Sequence, residues 1–392
     1  MRAGKVAAAY TPGYGGAAEA VLKMTLGNRI GFRFEDGVTL SDLFSYSYGS
    51  LLLEVTEDVP GAFVLGETIH SDVLIFEGKS VELAQLREVY EGKLEPVYPC
   101  NISQTPREIE APRHAAGSWP KASAHIARPR VLIPVFPGTN CEYDTAKALR
   151  RAGAEPEIMI LRNLTSEGVR ESVAAFAEKV RAAQMIFVPG GFSGGDEPDG
   201  SGKFITAFFR NGAIADAVND LLTCRDGLMA GICNGFQALI KLGLVPYGEI
   251  REPDESAPTL TFNTIGRHQS KLVRTRIVSN KSPWLMKTQP DEIYTVPISH
   301  GEGRFLASEE IIRALAANGQ IATQYVDLDG KPAYDVAFNP NDSAWAIEGI
   351  TSPDGRVLGK MGHSERIGNG LYQNVPGTFE MGLFESAVEY FR

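Results

Sequence analysis

The stretch Gly231-Ile232-Cys233-Asn234-Gly235-Phe236 constrains this chain more than any other. An apolar run, Gly227-Leu228-Met229-Ala230, leads into it, and a helix-forming run from Phe236 to Leu242 leads out and stops at Gly243. That order reads as strand, sharp turn, helix. Small residues on either side of Cys233 let the backbone turn tightly enough to push one side chain out at the strand's end. This is the thiol counterpart of a Gly-x-Ser-x-Gly nucleophile elbow. A thiol at a helix N-terminus is biased toward thiolate, the reactive form. The amide of Asn234 points to the thiol's working side, where it helps to hold an oxyanion. The plainer alternative is a buried cysteine in a core strand, as most lone cysteines are. Glycines two before and two after Cys233 favour the nucleophile.

The whole chain sets outer bounds. Its 392 residues suggest about two or three domains. A net charge of −10 gives no electrostatic footprint for nucleic acid. No apolar run approaches the roughly 20 residues that span a bilayer, and the N-terminus lacks the pattern of a secretory signal. Cys100, Cys141, Cys224 and Cys233 show no metal-ligand spacing, and their scatter argues for free thiols in a reducing compartment. The expectation is a soluble cytoplasmic protein without nucleic-acid, membrane or metal partners.

Three regions follow in order. Residues 1–95 read as short strands (Val6–Tyr10, 30–34, 50–55, 62–65, 72–76) mixed with helices at 17–26, 41–45 and 81–91, an α+β pattern. The Gly15-Gly16 turn before the first helix reads as a tight turn, or as an anion site built from backbone amides. Residues 96–128 are punctuated by Pro96, Pro99, Pro106, Pro112 and Pro120, lack periodicity, and read as an extended linker across the surface. From Arg130, strands (131–136, 157–161, 185–188) alternate with helices (141–151, 165–183, 204–222), which predicts an α/β domain over 129–392 with a mostly parallel sheet and helices on both faces. Sites in such sheets lie beyond the carboxyl ends of the strands. The cysteine elbow and the glycine-rich loop Pro189-Gly190-Gly191-Phe192-Ser193-Gly194-Gly195-Asp196 both fall there.

That loop suits an oxyanion hole, because glycines let backbone amides face a ligand. A phosphate-binding P-loop fails on spacing, since Glu197 and Phe204 stand where Gly and Ser or Thr would be needed before and after Gly202-Lys203. A surface turn is the plain alternative, and 196–202 is polar enough to move over the site. A cysteine nucleophile needs a base. His363, in Gly362-His363-Ser364-Glu365-Arg366, has Glu365 two residues on, where an extended segment would put both on one side. Glu365 would then fix the imidazole tautomer. His300, in Ser299-His300-Gly301-Glu302-Gly303-Arg304, has the same spacing, and geometry read from sequence does not choose between them. His70, His114, His125 and His268 read as ordinary hydrogen-bonded residues. Cys141 also follows a strand and opens a helix, and without flanking glycines it reads as structural or site-lining.

These residues resemble a known family. Gly231-Ile232-Cys233-Asn234-Gly235-Phe236-Gln237 looks like the nucleophile motif of class I (triad) glutamine amidotransferases. Together with Pro189-Gly190-Gly191-Phe192-Ser193, Pro137-Gly138-Thr139-Asn140-Cys141-Glu142, Ser299-His300-Gly301-Glu302-Gly303-Arg304 and His363-Ser364-Glu365-Arg366, it resembles the glutaminase of phosphoribosylformylglycinamidine synthase. The resemblance covers about residues 129–392. Before it, Gly15-Gly16-Ala17-Ala18-Glu19-Ala20 with Lys23-Met24 and Gly27-Asn28 resembles the C-terminal part of an aminoimidazole ribonucleotide synthetase-type domain. Two departures stand out: many members carry Pro-His-Pro-Glu-Arg in place of Gly362-His363-Ser364-Glu365-Arg366, and Gly-Phe-Ser-Tyr-Gly-Asp near Phe192-Ser193-Gly194-Gly195-Asp196.

The resemblance implies a flavodoxin-like glutaminase. Cys233 attacks the side-chain amide of glutamine, the amides of Gly191 and Asn234 hold the oxyanion, and His363, oriented by Glu365, serves as acid and base. Gly190, Phe192, Gln237 and His300 are implied to contact substrate. Ammonia would pass to a synthetase site that converts formylglycinamide ribonucleotide to the amidine, in purine biosynthesis. ATP and Mg²⁺ are implied only for the complete synthetase, and no cofactor for the glutaminase. This chain holds only a tail of one synthetase half, so the partner is either the remaining synthetase domains or a separate synthetase chain. Two alternatives stay open: another cysteine hydrolase on this scaffold, such as a γ-glutamyl peptidase, and a non-catalytic docking module.

Overall fold

The protein, seen as a computed structural model, is described over residues 4–99, 102–194, 201–368, 370–373 and 375–392. Cys100 and the loop residues 195–200 lie outside the described residues. The chain divides into two compact units, Met1–Asn101 with Tyr372–Pro376, and Ile102–Leu371 with Gly377–Arg392.

In the first unit the elements run β1 (Val6–Tyr10), α1 (Gly16–Asn28), β2 (Gly31–Phe34), α2 (Leu40–Phe44), β3 (Leu52–Val55), β4 (Gly66–Ile69), β5 (Val73–Phe76), β6 (Lys79–Glu82) and α3 (Leu83–Gly92). β1 pairs with β3, and a second sheet has the order β4-β2-β5-β6. Val21, Phe34, Val38 and Leu43 form a small buried core. A strand expected at 62–65 falls instead at β4, which has no apolar alternation, and β6 is an edge strand exposed at all four positions. Such strands carry little period-2 signal. The Gly15-Gly16 turn is occupied by the chain itself, since the Gly15 amide donates to Glu19 Oε2 at 2.7 Å.

The second unit begins with residues 102–129, which are irregular but firmly attached to that unit. Gln104 donates to the Tyr334 carbonyl at 2.8 Å, His114 N–H to Val278 at 2.9 Å, Trp119 Nε1 to Asn280 at 2.6 Å and Ile126 N–H to Phe391 at 2.8 Å. The segment 96–128, expected as an extended linker across the surface between two domains, is thus from residue 102 onward a strap along one unit. The His114, Ala116, Ala122 and Ile126 amides find acceptors there.

The strap leads into β7 (Arg130–Val135), α4 (Glu142–Ala152), β8 (Glu155–Ile160), α5 (Ser166–Ala182), β9 (Met185–Val188), α6 (Lys203–Phe209), α7 (Gly212–Thr223), β10 (Leu228–Ile232), α8 (Asn234–Leu242) and α9 (Leu244–Tyr247). Then come β11 (Thr259–Phe262), β12 (Gln269–Ile277), β13 (Ile293–His300), β14 (Glu302–Leu306), α10 (Glu309–Ala317), β15 (Ile321–Val326), β16 (Ile347–Thr351), β17 (Val357–Lys360) and α11 (Leu383–Tyr390). Thr165 caps α5 by accepting the Gly168 amide at 3.0 Å, as its side-chain chemistry favours.

The main sheet has the order β13-β12-β15-β16-β17-β10-β9-β7-β8. The pairings β7–β8, β7–β9, β9–β10 and β10–β17 are parallel, while β16–β17, β15–β16, β12–β15 and β12–β13 are antiparallel. The sheet is therefore mixed, which corrects the mostly parallel sheet read from sequence. The helix-bearing crossovers that enforce parallel pairing stop after β10. Later strands are joined by connections such as 352–356, short enough to reverse the chain directly. α4 packs with α11, and α5 with α7.

β9, β10 and β17 are buried at every position, as central strands covered on both sides must be. α8 leaves β10 within one residue and lies close against the neighbouring strand. A Cβ on Gly235 would sit 2.1 Å from the Val188 carbonyl oxygen of β9. Gly235→Ala should therefore force backbone to move and destabilise the unit by about 1–3 kcal/mol or more. A lower urea midpoint with unchanged slope would show it; a wild-type midpoint would refute this packing.

Candidate active site

Cys233 stands at the carboxyl end of β10 with φ 53° and ψ −108°, and Asn234 opens α8. A positive φ at a non-glycine residue costs roughly 1–3 kcal/mol, and surrounding structure must hold it. Here β10 is clamped between β9 and β17, and the Cys233 amide donates to the Lys360 carbonyl of β17 at 2.9 Å. The side chain is thereby turned out at the strand end, where Sγ lies 3.7 Å from the Ser299 carbonyl oxygen of β13. The Asn234 amide belongs to the first turn of α8, where amides have no acceptor within the helix.

His363 and Glu365 follow β17. They come together through a turn rather than the extended segment that the His-x-Glu spacing suggested. The Arg366 amide donates to the His363 carbonyl at 3.2 Å, and this reversal folds the Glu365 side chain back on its neighbour. His363 Nδ1 donates to Glu365 Oε1 at 2.6 Å, with both side chains buried. That fixes Nδ1 as the protonated nitrogen toward Glu365 and leaves Nε2, buried and without a hydrogen-bond partner among the described residues, for other work. Burial alone would push the imidazole toward its neutral form. The Glu365 charge, with the hydrogen bond His363 donates to it and the neighbouring Cys141 and Cys233 thiols, outweighs it and holds His363 well above the ordinary imidazole range. Burial works against the Glu365 carboxylate in turn, but the His363 charge and hydrogen bond keep it below its usual value.

The glycine-rich loop closes the site from the side of β9. A Cβ on Gly190 would lie 2.7 Å from His363 Cε1, 3.1 Å from Cys141 Sγ and 3.4 Å from Cys233 Cβ. Gly190 therefore sits among all three side chains, and only hydrogen fits there. Its carbonyl accepts the Asn140 and Cys141 amides at 3.3 Å each, tying this loop to the one after β7. Gly191 has φ 149° and crosses Thr139 so closely that a side chain would strike backbone. Asn234 Oδ1 accepts the Ser193 amide at 3.1 Å, so the residue after the thiol also anchors the loop.

Residues 128–391 match the CobB/CobQ-like glutamine amidotransferase domain family. The chain belongs to the glutamine amidotransferases. It is 34% identical over 281 residues to the phosphoribosylformylglycinamidine synthase subunit PurQ of Methanococcus maripaludis, covering 67% of this chain and 97% of that one. It is 33% identical over 250 residues to the PurQ subunit of Synechocystis sp., covering 62% of this chain and 95% of that one. A solved chain titled as the structure of PurLQS from Thermotoga maritima aligns with 26% identity and a TM-score of 0.48, over 68% of this chain and all of that one. The second unit thus has the α/β class I glutaminase fold, built on a large mixed sheet.

Other residues of this amidotransferase fall differently from the sequence reading. Gln237, expected against substrate, has both ends of its amide engaged internally, with Nε2 donating to the Glu302 carbonyl at 2.6 Å and Oε1 accepting from Asn234 at 2.9 Å. It braces the elbow. His300 is buried at the end of β13 with neither ring nitrogen hydrogen-bonded, and burial, with the nearby His363 and His268 charges, lowers its pKa to about 3. It stays neutral across the physiological range. Phe192 places its ring 5.9 Å from the His268 imidazole. Cys141, read as structural or site-lining, has Sγ 3.8 Å from His363 Nδ1 and 2.9 Å from the Arg366 guanidinium. Ligand atoms of Cys141, His363 and Glu365 lie within 4.8 Å of one another, a spacing that metal-ligand sets share, but the Arg366 charge at Sγ opposes a cation there. The Arg366 contact, the Ser299 carbonyl and the Lys360 carbonyl escaped the sequence reading, since each depends on strands far apart in the chain.

Two outcomes follow from this geometry. Gly190→Ala should displace the imidazole and lower glutamine hydrolysis by about 10²-fold with the fold intact, since a 1 Å misplacement can cost that much. Steady-state kinetics beside circular dichroism would check it, and wild-type turnover would refute it. Glu365→Gln should let burial dominate, so that the His363 pKa falls, which histidine NMR titration reads directly. The sign for stability follows: the raised His363 contributes most below about pH 6.5, its unfolded value, and that contribution fades as pH rises through the folded pKa.

Proposed function

We propose that this chain acts as the glutaminase part of phosphoribosylformylglycinamidine synthase, with Cys233 as nucleophile, His363 as the proton-transfer group and Glu365 as its orienting partner. The observation that supports it is the placing of buried His363 and Cys233 against Gly190, with buried Glu365 hydrogen-bonded to His363, in a chain 34% identical to a PurQ subunit. The Cys233 thiolate adds to the side-chain carbonyl carbon of glutamine, and the amides of Gly191 and Asn234 receive the oxyanion. The His363 imidazolium gives a proton to the departing nitrogen, which leaves as ammonia and leaves a γ-glutamyl thioester. Neutral His363 then takes a proton from water, hydroxide attacks the thioester, and thiolate departs as glutamate forms. The sum is glutamine plus water to glutamate plus ammonia.

The ammonia serves an ATP-dependent synthetase that converts formylglycinamide ribonucleotide to the amidine. ATP and Mg²⁺ belong to that partner, either further domains or a separate chain, and the glutaminase itself works without a cofactor. Residues 1–95 are read as the C-terminal part of an aminoimidazole ribonucleotide synthetase-type domain, on the strength of the Gly15–Asn28 motif. Among the described residues no helix is long and apolar enough to cross a membrane.

Cys233→Ala is the test. Glutamate release from glutamine, measured with the synthetase present, should fall at least about 10³-fold. Ammonia-dependent synthesis by the same complex should survive. Loss of both activities, or survival of glutamine hydrolysis, would overturn the assignment.

A further inference from the structure

The buried pair Lys360 and Glu348 takes no part in the chemistry above, yet it grips the residues that do. Lys360 closes β17, an otherwise apolar strand, with its side chain 1% exposed, and Glu348 of β16 is fully buried beside it. Their charged atoms lie 3.3 Å apart. Burying two charges is costly unless each is also hydrogen-bonded, and every such bond here goes to the segment around His363 or to the sheet beside it. Lys360 Nζ donates to the Gly362 carbonyl at 2.9 Å and to Ser364 Oγ at 3.2 Å. Glu348 Oε1 accepts the Gly362 amide at 2.5 Å, and Oε2 accepts from Thr323 Oγ1 of β15. One ion pair thus holds both the amide and the carbonyl of the residue before His363, and the side chain of the residue after it.

The same lysine also reaches the nucleophile. Its backbone carbonyl accepts the Cys233 amide at 2.9 Å, and Lys360 pairs in register with Ile232 of β10. The His363 amide is held in turn by the Pro297 carbonyl at 2.9 Å, so the imidazole's backbone is gripped from β13, β16 and β17 together.

We infer that Lys360 and Glu348 are positioning residues that set the placement of the His363 imidazole relative to the Cys233 thiol. This rests on the triad assignment of the preceding section. The clamp acts on geometry and not on glutamine, so its loss lowers turnover without weakening substrate binding.

The test uses the full-length double variant Lys360→Met/Glu348→Gln, which removes both charges together so that neither is left alone in the interior. Two readings are taken: kcat and KM for glutamate release with the synthetase present, and the rate of Cys233 alkylation by iodoacetamide on the chain alone. The clamp predicts a kcat roughly tenfold or more below wild type, KM within about twofold, and alkylation slowed by a similar factor. A folded double variant with wild-type kcat and alkylation overturns it, as does a fall carried by KM alone. If the double variant does not fold, Ser364→Ala decides, since it cuts one link and leaves the ion pair. A kcat lower by about threefold at unchanged KM supports the clamp, and unchanged kcat overturns it. Wild-type protein alkylated no faster at Cys233 than at the exposed Cys224 would remove the triad itself, and the clamp with it, which separates that failure from failure of the clamp alone.

Discussion

The site depends on one backbone constraint, the positive φ at Cys233. A strand that must end and a helix that must begin within one residue leave no relaxed conformation at the junction. The strain persists because β10 is held on both edges by parallel neighbours, and because α8 is pressed against β9 so closely that Gly235 has no room for a side chain. The sheet thus carries the cost of a bent residue, and the bend presents the thiol. Moving any of β9, β10 or β17 would move the Cys233 thiol, which is held at their carboxyl ends.

Around that thiol, opposing electrostatic effects are balanced by position. Burial disfavours charge on His363 and on Glu365 alike, yet each supplies the partner charge that the other needs. His300, equally buried nearby, has no carboxylate partner among the described residues, and burial with the His363 and His268 charges keeps it neutral. Two histidines with the same His-x-Glu spacing therefore behave oppositely. After His363 the chain reverses in a turn that brings Glu365 back to the ring. After His300, Glu302 begins β14, where one carboxylate oxygen accepts the Ser201 amide at 2.8 Å.

The mixed character of the sheet matters to function. Parallel strands β7, β9 and β10 deliver the two loops and the elbow, as α/β sheets do. The antiparallel strands β16, β15 and β12 extend the sheet beyond β17, and β13 adds its own edge. From them come the Ser299 carbonyl at the thiol, the Pro297 carbonyl at His363, and Glu348 beneath the turn. The strap 102–129 lies along the same unit, with Gln324 of β15 donating to the Glu110 carbonyl at 3.0 Å.

Much of this could be read in the residues. The elbow, the order of strands and helices from β7 to α8, the cap at Thr165 and the glycine-rich loop are local features, written by periodicity, small residues and side-chain caps within a few positions. Cys233, His363 and Glu365 could be nominated from type, spacing and resemblance. Tertiary structure decided what no local pattern encodes. It gave His363 a carboxylate partner that His300 lacks among the described residues, replaced an extended His-x-Glu segment with a turn, turned Gln237 inward and made the segment read as a linker a strap. It also reversed the pairing direction beyond β17 and placed Lys360 opposite Glu348. The physical reason is common to all of these: each rests on a contact between strands or loops distant in sequence. Such contacts exist only once the sheet order has brought them together.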